Sequence, residues 1–304
     1  MPSLSTVRSF NAGFLPSYTP VVIFVGGTSG IGQGMAEAFA RHTKGNAHIV
    51  IVGRNRAAAS AIIASFPKPT VRGVTHEFVE CDISLMKNVQ RTAGELRARF
   101  PKVNFLALTA GVLTTDGRNE TEEGIDRKLA IHYYGRWRFV RDLIPSLEVA
   151  HKAGEDAKVM SVLGAGHGAA VDLNDLGLKK TFSLGNAAST APSYNDIMVN
   201  DFAARYPGLS FVHSYPGLVR SGMLKASNTA SLRIANVLMP LLTPFSYSVT
   251  DSGEYQLYAM LKAGPGATRT DANGADIGLK KNYYGSPEAM AALWKHTEEE
   301  TTVS

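Results

Sequence analysis

The stretch VVIFVGGTSGIGQGMAEAF, residues 21–39, decides how the rest of the chain is read. Val21, Val22, Ile23, Phe24 and Val25 form a run without a polar residue, the pattern of a strand covered on both faces. Gly26, Gly30 and Gly32 follow in the spacing G-x-x-x-G-x-G, and Ile31, Met35, Ala38 and Phe39 then recur at helical intervals. A strand, a glycine turn and an amphipathic helix in this order let backbone approach a diphosphate closely. The helix N-terminus offers the anion its free N–H groups.

Strand and helix patterns keep alternating downstream. Residues 47–52 (AHIVIV) read as a second buried strand, and residues 57–66 as a helix stopped by Pro67 and Pro69. Residues 74–81 alternate as a strand closed by Asp82; Ser84 is expected to cap a helix that ends before Pro101. A fourth strand is expected at 103–109, a polar loop at 111–121, and a long helix at 122–147 with Ile125, Leu129, Tyr133 and Trp137 four apart. A fifth strand (158–163), a glycine-rich loop, a helix (187–205) and a sixth strand (209–214) ending in Pro216-Gly217 complete the series. Such alternation gives an α/β fold, a doubly wound parallel sheet with helices on both faces. Its ligand crevice lies beyond the C-terminal strand ends, where the strand order reverses. The segment 223–262 reads as helices flanking Pro240 and Pro244 and is expected to form a substrate lid. Residues 264–278 read as a loop, and 286–300 as a final helix capped by Ser286 with Pro287 first. Residues 1–20 are expected to be an arm, and 21–304 a single domain.

Composition narrows the partners. The chain has 304 residues, 44% hydrophobic and 19% charged, enough for a sizeable core. Its net charge of +5 is modest and its Lys and Arg are scattered, which argues against a nucleic-acid partner. Cys81 is the lone cysteine, so no internal disulfide forms, and a reducing, cytoplasmic setting is expected. No secretory pattern is read in residues 1–20, and no transmembrane segment is expected, since the apolar stretch 235–248 is broken by Asn236, Pro240 and Pro244. No His, Cys or carboxylate cluster has metal-ligand spacing.

About 20 residues past such a glycine turn, an NAD site offers a carboxylate to the ribose 2′-hydroxyl. Here the second strand ends in Gly53-Arg54-Asn55. A guanidinium suits a 2′-phosphate, so NADP(H) is the expected cofactor. Asp82, after the third strand, can accept a hydrogen bond from adenine.

With these landmarks on the page, the chain resembles the short-chain dehydrogenase/reductase family. GGTSGIG (26–32), GRN (53–55), CDI (81–83), TAG (109–111) and PGLVRS (216–221) match its motifs in order, and residues 121–137 look like the helix of retinol-dehydrogenase-like and filamentous-fungal members. The resemblance implies a Rossmann-type sheet of about seven strands with a C-terminal helical lid. It assigns Gly26, Thr28, Ser29, Gly30, Ile31 and Gly32 to diphosphate and ribose, and Ala110 and Gly111 to the adenosine side. Arg54, Asn55, Asp82 and Ile83 fall to the adenosine end by their motifs, and Pro216, Gly217, Val219 and Ser221 to the nicotinamide end.

The catalytic half departs from the family. Its tyrosine and the lysine four residues on fall at Phe182 and Asn186 in one register, or at Leu184 and Ala188 in the other. The serine position falls on Gly164, the asparagine on His132, the first Thr of the turn on Val25, and the Asn of N-A-G on Thr109. Phenylalanine has no proton to give, and general acid–base help is worth roughly 10²–10⁴-fold. Candidate stand-ins are His132, Tyr133, Ser161, His167 and Tyr194, with His132, Ser161 and Tyr194 the catalytic set carried forward. Three activities stay open: an NADP(H)-dependent oxidoreductase on the carbonyl or alcohol of an apolar small molecule, in specialised metabolism; a non-redox isomerase or cyclase; and a cofactor-sensing binding protein. A homodimer through the two long helices is also compatible with their apolar stripes.

Overall fold

The computed structural model describes residues 2–222 and 246–303. Seven strands form one sheet in the order β3-β2-β1-β4-β5-β6-β7, every pairing parallel. They are β1 (Val21–Val25), β2 (His48–Gly53), β3 (His76–Glu80), β4 (Phe105–Leu108), β5 (Lys158–Val162), β6 (Ser210–Ser214) and β7 (Gly266–Thr270). β1 lies between β2 and β4, with Val22 opposite both Ile49 and Phe105, so the order reverses at its C-terminal end. β1, β4, β5 and β6 are buried along their whole length, which is why each reads as an unbroken apolar run or nearly so.

Successive strand residues feed two cores, as the pleat requires. Val22, Phe24, Ile49, Ile51, Phe105 and Val212 pack with α2 (Gly30–His42) and α3 (Arg56–Ser65). Ile23, Val25, Leu106, Leu108, Val159 and Phe211 face α4 (Met86–Arg99) and, after the short turn α5 (Arg127–Leu129), α6 (Gly135–Lys152) and α7 (Leu184–Arg205). α8 (Val249–Lys262) joins the first layer, and α9 (Pro287–Thr301) closes the second.

Several expectations change. The N-terminal arm contains a docked helix, α1 (Leu4–Ala12): Val7 packs on Tyr255 and Tyr258, and Asn11 Nδ2 donates to Glu254 Oε2 at 2.7 Å. Of the expected lid, residues 223–245 lie outside the described residues, and the rest is α8, a layer helix. It packs so closely on α2 that a Cβ on Gly253 would lie 2.3 Å from the Gly34 carbonyl carbon. The expected loop 264–278 contains β7. Ser84 does not cap α4; its Oγ donates to Asp82 Oδ1 at 2.7 Å, while the Glu123 carboxylate accepts from Met86 N–H at 2.5 Å and Lys87 N–H at 2.9 Å. The helix expected from residue 122 begins at Arg127 and passes through a π-helical stretch, Ala130–Tyr134. It then continues past residue 147 to Lys152.

α9 lies on the two long helices proposed as a dimer face. Trp294 meets Trp137 edge-on at 5.0 Å, the Arg205 guanidinium sits 3.6 Å over the Trp294 ring, and Tyr133 Oη shares a hydrogen bond with Thr297 Oγ1 at 2.8 Å.

Candidate active site

The strand C-termini open onto a crevice of about 450 Å³ at the β1/β4 switch point. Gly26, Thr28, Ser29, Gly30 and Ile31 form its floor, Arg54, Asp82 and Ile83 one end, Ala110 and Gly111 the wall, and Ser221 the far side. Gly26 has φ +95°, and a Cβ there would lie 2.4 Å from Ala110 N. Gly30 has φ +57°, and a Cβ there would meet the Ser221 Cβ at 3.1 Å. The backbone is therefore as close to the opposite wall as a chain without side chains allows. Ser29 is the N-cap of α2 but makes no side-chain cap bond, so the first N–H groups of the helix stay open towards the crevice. Glycines for close approach, uncapped donors and a cation at the β2 end fit a dinucleotide diphosphate with a further anionic group.

Not every expected residue lines this space. Gly32 is a packing glycine, where a Cβ would meet Thr109 Oγ1 at 2.3 Å. Asn55 caps α3, accepting from Ala58 N–H at 3.0 Å. Pro216, Gly217 and Val219 shape the turn that delivers Ser221: Gly217 has φ +72° against the Tyr247 ring, and Val219 bridges Tyr247. Asp82 reaches the crevice, with Oδ1 already accepting from Ser84 N–H. Sequence reading did not assign Val52, Gly53, Cys81, Ile131 or Gly222 to the lining. Burial pushes the Cys81 thiol up to about 11, so it is inert. Val25 and Thr109, both departures from the family pattern, meet each other: Thr109 Oγ1 donates to the Val25 carbonyl at 3.2 Å.

The catalytic candidates tell a different story. His132 Nε2 accepts from Val112 N–H at 3.0 Å, and its carbonyl accepts from Asn195 Nδ2 at 2.8 Å. Burial, then the nearby Arg136 and Lys128 cations, hold its imidazole down to about 3, so it stays neutral at ordinary pH. Ser161 is fully buried; its Oγ donates to Asn195 Oδ1 at 2.7 Å and accepts from Arg136 Nη1 at 2.7 Å. Tyr194 Oη donates to the Leu176 carbonyl at 2.9 Å, its ring packs on Tyr133, and burial raises its pKa further. The structure joins His132 and Ser161 through Asn195 but sets Tyr194 apart, facing Leu176. At the possible tyrosine and lysine positions, Phe182 lies beneath Lys128 Nζ at 5.3 Å, and Asn186 Nδ2 donates to the Thr181 carbonyl.

A second buried network stands behind the loop after β5. Gly164 N–H donates to His213 Nε2 at 3.2 Å, His213 Nδ1 donates to Asp196 Oδ1 at 2.6 Å, and Arg269 Nη2 donates to Asp196 Oδ2 at 2.6 Å. Burial alone raises a carboxyl pKa, but the His213 and Arg269 contacts outweigh it and hold Asp196 below the usual range. Sequence reading missed this triad; a histidine inside the apolar strand LSFVHS was its only signal. Of the five stand-ins, His167 is the one exposed, on the Gly164 loop with its ring 4.0 Å from that of Tyr215.

Comparison with known proteins agrees with this geometry. The family described as short chain dehydrogenase matches residues 20–172. Oxidoreductase AN1596 of Emericella nidulans is 38% identical over 267 residues, covering 86% of this chain and 78% of that protein. Oxidoreductase andH of Emericella variicolor is 34% identical over 265 residues, covering 86% and 76%. A solved structure of an uncharacterized protein from Mycobacterium Paratuberculosis superposes with a TM-score of 0.68 at 19% identity, covering 95% of this chain and 96% of its own. The chain belongs to the short-chain dehydrogenase family, oxidoreductases built around a nicotinamide dinucleotide. Among the described residues no helix is long and apolar enough to cross a membrane, and no cluster could hold a metal ion.

Proposed function

We propose that this protein is an NADP(H)-dependent oxidoreductase that interconverts a carbonyl and an alcohol on an apolar small molecule. The observation that carries the reading is the open glycine cradle facing Arg54. That arginine is exposed at the end of β2 and, among the described residues, makes no ion pair. Arg54 would take the ribose 2′-phosphate, the α2 N-terminus and Gly30 the diphosphate, and Ser221 the nicotinamide amide. Bound there, the coenzyme would supply hydride chemistry, and the substrate oxygen would need a proton from the protein. Ser161 Oγ and Tyr194 Oη are committed to buried partners, and His132, its Nε2 taken by Val112 N–H, stays neutral, so the proton is assigned to His167, the accessible stand-in beyond the end of β5. Leu113, Leu184, Leu218 and Leu279 are exposed in the connections that follow β4, β5, β6 and β7, in keeping with an apolar substrate. Kinship with fungal oxidoreductases is in keeping with a role in specialised metabolism, and a lone buried cysteine with the cytoplasm.

The test is consumption of NADPH by the pure protein with a panel of apolar ketones, followed by mass analysis of the product. A product two hydrogens heavier, with turnover lowered about 100-fold in His167→Ala, is expected. A product of unchanged mass would favour the isomerase reading, which rests on the absent Tyr/Lys pair. Tight coenzyme binding with no turnover on any substrate would favour a sensing role.

A further inference from the structure

Arg136 is a fully buried cation with no carboxylate partner among the described residues. Its four hydrogen bonds all go to neutral acceptors: Ser161 Oγ at 2.7 Å and the carbonyls of Ala110 at 2.6 Å, Val162 at 2.9 Å and Ile131 at 3.4 Å. Charged side chains this deep are ordinarily paired. The nearby ionisable groups do not balance it. Lys128 is a second buried cation, with Nζ donating to the carbonyls of Asp116 and Gly117, and His132 stays neutral. On the neighbouring strand the two ring nitrogens of His213 are taken by Gly164 N–H and Asp196, burial lowers its pKa, and Asp196 already answers Arg269.

The location gives this charge a use. Two of the carbonyls that Arg136 grips belong to Ala110 and Ile131, and both residues line the crevice. Arg54 marks the β2 end of that crevice, and a dinucleotide with its adenosine there runs past β1 and the Ala110 wall towards β5; Arg136 reaches past Ala110 to Ser161 Oγ and the Val162 carbonyl of β5, the side to which the nicotinamide comes. The phosphates are common to both redox forms. The ring is not: it is cationic when oxidised and uncharged when reduced.

We propose that Arg136 makes the crevice discriminate between the redox states of the coenzyme, holding the reduced form more tightly than the oxidised one. The inference rests on the coenzyme reading above. A unit charge acting over ~10 Å at an effective dielectric of ~20 changes affinity about tenfold. The consequence is an enzyme loaded for carbonyl reduction.

Calorimetric titration of wild type, Arg136→Lys and Arg136→Gln with NADPH and with NADP⁺ tests it. Wild type is expected to bind NADPH about tenfold more tightly than NADP⁺. Arg136→Gln should bring that ratio towards one, chiefly by tightening NADP⁺, whereas Arg136→Lys, whose ammonium loses its proton more readily when buried, should fall between the two. An unchanged ratio in folded Arg136→Gln would overturn the proposal. If that variant does not fold, wild type decides: NADP⁺ bound as tightly as NADPH, or more so, overturns it equally. A wild-type protein that binds neither form removes the coenzyme reading itself, an outcome told apart by the absence of any heat.

Discussion

The two ends of the crevice are built in opposite ways. From Gly26 to Asp82 the wall is backbone, glycine and short side chains, with the donors of α2 left open and Arg54 unpaired among the described residues. Around His132, Ser161, Asn195 and Arg136 the polar groups are bonded to one another. The first region is shaped to receive an anion; the second has turned positions of proton chemistry into internal scaffolding. A chain can thus keep the means to hold a coenzyme while replacing the means to move a proton. On the function proposed above, that replacement is His167, carried on the loop that the buried Asp196–His213 pair anchors through Gly164.

The largest effect is expected in the scaffolded region. Asp196→Ala leaves Arg269 as a buried charge and strips His213 of its partner. Denaturant unfolding should show a loss of about 3–5 kcal/mol. A loss under ~1 kcal/mol would mean that the network is not a structural anchor. In the open region, Gly26→Ala places a methyl 2.4 Å from Ala110 N at a φ of +95°. Coenzyme affinity should fall at least about 100-fold by calorimetry, a change of ~2.7 kcal/mol. Unchanged affinity would show that the turn does not carry the ligand. At mildly acidic pH, within about one unit below 6.5, a smaller effect comes from His132. Its folded pKa is depressed from 6.5 to about 3, so below pH 6.5 the unfolded chain takes a proton that the folded chain refuses. This contribution is neutral above 6.5 and costs stability progressively as pH falls towards 3, with a slope of up to about 1.4 kcal/mol per pH unit. His132→Asn should remove that slope from the pH dependence of unfolding; an identical profile would contradict the buried, neutral assignment.

How legible each region was follows from what each is made of. β1 (VVIFV) and β4 (FLAL) are buried on both faces and read as apolar runs, while β5 (KVMSV) and β6 (SFVHS), equally buried, keep an apolar middle that length and flanking turns identify. β7 (GATRT) is an edge strand with its first residues only partly buried, and it reads as a glycine-rich loop. The N-terminal helix was missed because its docking rests on Val7 and Asn11 meeting residues nearly 250 positions away. The cradle was legible because glycine spacing is itself the signal. The network was not: Arg136 looks like a solvated arginine on an amphipathic helix, and only the packed fold brings its guanidinium to the carbonyls of Ala110 and Val162. The Asp196–His213–Arg269 triad joins three elements that no local pattern connects. The stripes on α6 and α7 were read correctly as apolar, but their cover is α9 of the same chain.

Titration of the pure, folded protein with NADPH bears on all of this at once. The account predicts saturable one-to-one binding that weakens about tenfold or more in Arg54→Ala, while the affinity for NADH stays unchanged by that substitution. No heat with NADPH, NADP⁺ or NADH, in protein whose unfolding transition is intact, would contradict it.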